Sequence, residues 1–187
     1  MNVFAYCTRA AREAVGAAVD ASPLTSPPMR ASRFDPQWLE GYDLLYFRLH
    51  GKPHSTAWYN DEGTMSLAPI QVARADLGGA VVVAATCYGA ENGAMVRAFY
   101  EAGAALVIAG PGENVAAAER VVGVDLLVQW VIRLMRLGAG VERALQAARW
   151  RLRLTGWRAS DRDAAQFAVV GREYGVGSKE VGDENVA

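Results

Sequence analysis

The chain has 187 residues, 52% of them hydrophobic and 21% charged, with a formal net charge of −1. That balance excludes a disordered or fibrous chain and a dedicated nucleic-acid binder, which would carry a large basic excess. Two cysteines and two histidines exclude a disulfide framework and a four-cysteine zinc site, and neither a metal nor another cofactor is expected.

The first predicted element is a β-prone run at residues 3–7, without the basic leader and apolar core of a signal peptide. An Ala-rich helix is expected over 9–20, with Ala11, Val15 and Val19 on one face. Residues 21–36 hold Pro23, Pro27, Pro28 and Pro36. They predict an irregular connection with at most a short edge strand. The run D-L-L-Y-F-R-L at 43–49 is a strong strand that ends in His50-Gly51. Residues 57–60 and 64–67 flank Asp61-Glu62-Gly63 and predict a hairpin. One or two helical turns follow at 69–74.

The run V-V-V-A-A-T after Gly78-Gly79 is continuously apolar, as in a strand buried on both faces, and leads into Cys87-Tyr88-Gly89. A helix over 92–102 and a second buried strand over 104–109 come next, closed by Gly110-Pro111-Gly112. A long helical region spans 115–137, interrupted at Gly123. Another spans 141–154, with Val141, Leu145, Ala148 and Leu152 on one face. Ser160 is expected to cap a short turn with Asp163 three residues on. The last strand is 166–170. A single domain over 1–174 is expected, with the Gly-rich polar residues 175–187 as a mobile tail. No run is long enough to span a membrane, so a cytoplasmic protein with no membrane partner is expected.

Buried strands alternating with helices predict an α/β fold, a three-layer sandwich around a mostly parallel sheet. In such sheets ligands sit beyond the C-terminal strand ends. His50 and Cys87 each follow a strong strand and each lies near a glycine, with 36 residues between them. That separation suits a crossover connection between parallel strands. If the two strands are neighbours, a thiol and an imidazole meet at one sheet edge. This is the minimal set for nucleophilic catalysis, since the thiolate attacks and the imidazole moves the proton. Gly51 leaves a backbone N–H unshielded, and with the N–H of Cys87 it could hold an oxyanion.

L-H-G at 49–51 and A-T-C-Y-G-A at 85–90 resemble the two catalytic motifs of the caspase-like cysteine peptidases, the clan of caspases, legumain, gingipain, clostripain, separase and the CHAT domains. The CHAT type is the nearest likeness. The hairpin segment at 57–67, the helix and strand over 93–109, and the terminal Q-F-A-V-V-G agree with it. The resemblance covers roughly 40–171. It implies Cys87 as nucleophile, His50 as general acid/base, Gly51 as an oxyanion donor, and hydrolysis of a peptide or protein substrate through a thioester. Two departures stand out. Residues 21–40 are short and proline-rich where a full caspase-like fold has a second strand and helix. The Trp that many CHAT domains carry near the strand after the Cys is missing. Several clan members read Arg or Lys with an acidic residue near the Cys, a part open here to Glu91, Glu113, Asp61 and Glu62. A catalytically silent CHAT-like interaction module is the alternative. A nucleophile-elbow amidohydrolase fits less well, because both histidines precede Cys87.

His54, four residues after His50, reads as a loop residue, since Pro53 prevents a helical pair. Cys7 reads as the buried end of the first strand. On the helix bounded by Val121 and Leu137, Asp125, Gln129, Arg133 and Arg136 form a narrow polar stripe. The rest is apolar, as in a helix that is largely buried or that meets a second copy or a regulatory partner. Residues 130–165 carry eight arginines against three acids, a density that suits an acidic protein partner better than nucleic acid.

Overall fold

The computed structural model describes residues 1–114, 120–155 and 158–171. The expected tail at 175–187 and the first residues of the predicted 115–137 helix lie outside them. In chain order the elements are β1 (Val3–Thr8), α1 (Arg12–Val19), β2 (Leu24–Ser26), β3 (Leu44–Arg48), β4 (Trp58–Tyr59), β5 (Met65–Leu67), α2 (Pro69–Val72), β6 (Val81–Ala84), α3 (Gly93–Glu101), β7 (Leu106–Ala109), α4 (Val124–Arg136), α5 (Val141–Thr155), α6 (Ala159–Ala164) and β8 (Ala168–Val170). Two 3-10 turns lie between β2 and β3. Among the described residues, no helix is long and apolar enough to cross a membrane.

Among the described residues, six strands form one sheet in the order β2-β1-β3-β6-β7-β8. The first five run parallel, and β8 returns antiparallel to β7. The α/β expectation of a mostly parallel sheet between helical layers therefore holds. The central strands are apolar on both faces because both faces are covered. Ala5, Cys7, Leu44, Tyr46, Val81 and Val83 pack with α1, α4 and α5. The intervening Tyr6, Leu45, Phe47 and Val82 pack with α3 and the β4–β5 hairpin, as the two-residue strand period requires. Phe47 anchors that second layer, its ring 5.4 Å from Trp58 and 5.3 Å from Phe99.

The proline-rich connection keeps a three-residue edge strand, β2, held by parallel pairing to β1 and by Ser26 Oγ at 2.8 Å from Ser66 Oγ. Two expectations need correction. Ser160 lies inside α6, whose N-cap is Arg158 without a side-chain cap; Asp161 beside it accepts from the distant Gly123 N–H at 2.9 Å. Asp125 does not belong to a polar stripe. It is fully buried, because Tyr46 Oη donates to it at 2.6 Å and Arg48 pairs with its other oxygen. The remaining stripe residues face α1 or solvent: Gln129 donates to Ala17 O, and Arg136 lies 3.9 Å from Asp20.

Candidate active site

β3 and β6 are adjacent and parallel, with Phe47 opposite Ala84. Their C-terminal extensions leave the sheet side by side. On β3 the helix-facing positions run Leu44, Tyr46, Arg48, and two residues further is His50. On β6 they run Val81, Val83, Ala85, and two residues further is Cys87. Both residues lie just past the strand ends, Cys87 in a turn, and the two side chains meet at the same sheet edge. Both line one cleft of about 150 Å³, together with Thr8, Ala10, Arg48, Asp61, Ala85 and Asn114.

The His50 ring is 55% exposed, and its Nε2 lies 3.0 Å from Asp61 Oδ1. The other carboxylate oxygen accepts from Ala10 N–H at 3.2 Å. Burial alone would raise the Asp61 carboxyl. The hydrogen bonds from His50, Ala10 and Thr8, with the field of His50, outweigh it and hold the carboxyl below its ordinary range. Asp61 is therefore an anion that holds the imidazole through Nε2. It reaches this place because His50 and Tyr59 exchange backbone hydrogen bonds at 2.8 and 2.9 Å, drawing the hairpin up against β3.

Cys87 is half-buried and reduced. Its Sγ accepts from Asn114 N–H at 3.4 Å and lies 3.9 Å from Asn114 O. The Asn114 side chain donates to Thr86 O at 2.8 Å, tying the loop after β7 to the loop after β6. Tyr88, next in the chain, has φ 57°. A non-glycine residue in the left-handed region costs about 1–3 kcal/mol and is held there by its surroundings. Its N–H donates to Gly112 O at 2.5 Å, and its hydroxyl donates to Glu113 at 3.1 Å. The turn presents Cys87 at its apex.

Gly51 is the close approach that joins the two loops. A Cβ placed on it would lie 1.9 Å from the carbonyl oxygen of Cys87 and 3.4 Å from its nitrogen. Among the described residues, neither the Gly51 N–H nor the Cys87 N–H donates to a backbone carbonyl. Two donors left free in adjoining loops are available to an oxyanion.

The expected acidic residues separate. Glu91 accepts from Gly112 N–H at 3.0 Å, and Glu113 accepts from Tyr88, so both brace the loops around Cys87. Glu91 also lines a second, open cleft of about 530 Å³ with Lys52, His54, Tyr88 and Asn92. Glu62 is exposed in the hairpin turn. Asp61, weighed from the sequence only as a charge for substrate, is the partner of His50. Thr8 and Asn114 carried no signal in the sequence. Among the described residues, no group of three or more His, Cys, Asp or Glu is placed to hold a metal ion.

Cys7 is fully buried. Burial pushes its thiol up to about 12, against the opposing pull of Arg48. With a raised native pKa, its contribution to stability is fully present below the unfolded thiol pKa of about 8.5 and is lost as pH rises toward the native value. A disulfide reagent at pH 8 is therefore expected to titrate one thiol per native chain, Cys87, and two after denaturation. Two fast thiols in the native protein would contradict the placement of Cys7.

No known family model matches this chain, and no curated protein matches it.

Proposed function

We propose that the chain is a cysteine endopeptidase of the caspase-like clan, of the CHAT type, acting on a peptide or protein substrate. One observation carries the reading: His50 and Cys87, distant in sequence, follow adjacent parallel strands and line a single cleft. The unengaged N–H groups of Gly51 and Cys87 and the His50–Asp61 contact support it.

The chemistry follows from these groups. His50 takes the proton of the Cys87 thiol, and Sγ attacks the carbonyl carbon of the scissile peptide. The carbonyl oxygen becomes an oxyanion held by the two N–H groups. The tetrahedral species collapses as the C–N bond breaks, and the leaving amine takes the proton from His50. A water then gives its proton to His50 and attacks the thioester, releasing the acid and returning the proton to sulfur. Asp61 keeps the imidazole oriented through both halves. The proposed location is the cytoplasm, where thiols such as Cys87 stay reduced.

A second reading, a catalytically silent CHAT-like interaction module, rests on the sulfur engaging Asn114 while His50 engages Asp61. In active enzymes such contacts often tighten only with substrate bound. Labelling by a peptide carrying a thiol-directed warhead decides between the two. Wild type is expected to react at least a hundredfold faster than free cysteine at pH 7. Cys87→Ala should abolish labelling with an unchanged circular dichroism spectrum, and His50→Ala should slow it about 10²-fold or more. Wild-type labelling no faster than that of an ordinary thiol with pKa about 8.5 would favour the silent module.

A further inference from the structure

An amphipathic helix in a globular domain needs one apolar stripe to cover the core; α5 has two. Val141, Ala144, Leu145, Ala148 and Leu152 form the inner stripe against the sheet and α4. Ala147, Trp150 and Leu154 recur at helical spacing on the outside, with Trp150 66% and Leu154 63% exposed. This outer row faces Trp130 and Leu134 of α4 across a groove of about 280 Å³. Trp130 lines it, with the Arg133 and Arg151 guanidiniums 5.0 and 4.2 Å from the indole. Arg136 lies against Asp20 and Arg149 donates to Ala165 O, so the two cations placed at the groove are Arg133 and Arg151.

We propose that this groove is a docking site for an acidic amphipathic helix of another protein. The concave apolar floor between two helices takes bulky side chains presented at i, i+3 or i+4 and i+7. The Arg133 and Arg151 guanidiniums beside Trp130 select Asp and Glu on the flanks of those anchors. Residues 143–154 of α5 span three turns, so the matching partner segment is about 12–16 residues. A membrane surface fits less well: interfacial helices lay a broad apolar face into the headgroup layer, whereas α5 commits its inner face to the core and offers one row beside a groove. The site lies on α4 and α5, apart from the cleft of His50 and Cys87, and the proposal stands whether or not that cleft is catalytic.

The test uses the full chain and a display library of helix-forming peptides of about 16 residues. Enriched clones are expected to carry Leu, Phe or Trp at helical spacing with Asp and Glu flanking them. Individual clones should lose at least tenfold in affinity to Trp150→Ala and to Leu154→Ser, and should weaken as salt rises. Cys87 alkylation in both variants should match wild type, which shows that the fold is intact. Library selection without enrichment, basic or aperiodic clones, or clones indifferent to both substitutions would overturn the proposal. So would binding of phosphatidylserine vesicles through Trp150 in place of peptide, or sedimentation of a dimer that Trp150→Ala dissociates.

Discussion

Gly51→Ala is expected to disable the site more thoroughly than the loss of any single surface contact. The new methyl would sit 1.9 Å from the Cys87 carbonyl oxygen and 2.9 Å from its carbon. Both are backbone atoms, so no side chain can swing aside. Either the His50–Gly51 segment or the turn carrying Cys87 has to move. Overpacking of this kind costs about 1–3 kcal/mol, and a displacement near 1 Å at reacting atoms costs about a hundredfold in rate. The expected result is at least a hundredfold slower reaction of Cys87 with the peptide probe, in a protein that still folds. Gly140→Ala provides the comparison, because a Cβ there meets nothing within 4 Å. A Gly51→Ala protein that labels within threefold of wild type would show that the two loops are not coupled through this contact.

The second large effect concerns stability. Asp125 is wholly buried, with Tyr46 and Arg48 as partners from β3. Burial raises its carboxyl above the ordinary range, although Arg48 and Tyr46 pull it down. Asp125→Ala takes the carboxylate away from a guanidinium that is itself buried. Breaking such a pair from one side costs about 3–5 kcal/mol. For a chain of this size that lowers Tm by roughly 6–20 °C. Asp125→Asn keeps an acceptor for Tyr46 and should lose distinctly less. Thermal unfolding by circular dichroism measures both, and an Asp125→Ala Tm within 2 °C of wild type would contradict this account. Because Arg48 also lines the cleft, Asp125→Ala should slow Cys87 labelling too, whereas Asp125→Asn should do so less.

This pair marks where the sequence was harder to read. The strands over 43–49, 80–85 and 104–109 stood out because burial on both faces demands unbroken apolar runs. Their termini pointed to His50 and Cys87 because ligand sites collect at that edge. Adjacency of the two strands was a condition in the sequence, and the sheet order meets it. Asp125 was read by local periodicity, which counts a charge as solvated. Its partner lies 77 positions away, and no helical period reports that distance. A sharper signal was available: Arg48 and Asp125 are each a lone charge in an otherwise apolar run, and their signs are opposite. Asp61 was similar. Its place in a hairpin turn was legible, but the pairing of His50 with Tyr59 that lifts the turn to the imidazole is a tertiary event.

The cleft also has a consequence for how the protein comes into being. Its walls are drawn from Thr8, His50, Asp61, Cys87 and Asn114, five separate stretches of the chain. No local segment contains the thiol, the imidazole, the carboxylate against it and the loop that touches the sulfur. These contacts close only after parallel strands distant in sequence have paired, and such high-contact-order steps come late and slowly in folding. During synthesis, residues beyond 114 must emerge before Asn114 can meet Cys87. On the proposed reading, Cys87 becomes a nucleophile only once these contacts have closed, and its labelling by the peptide probe on refolding would serve as a clock for assembly of the central strands.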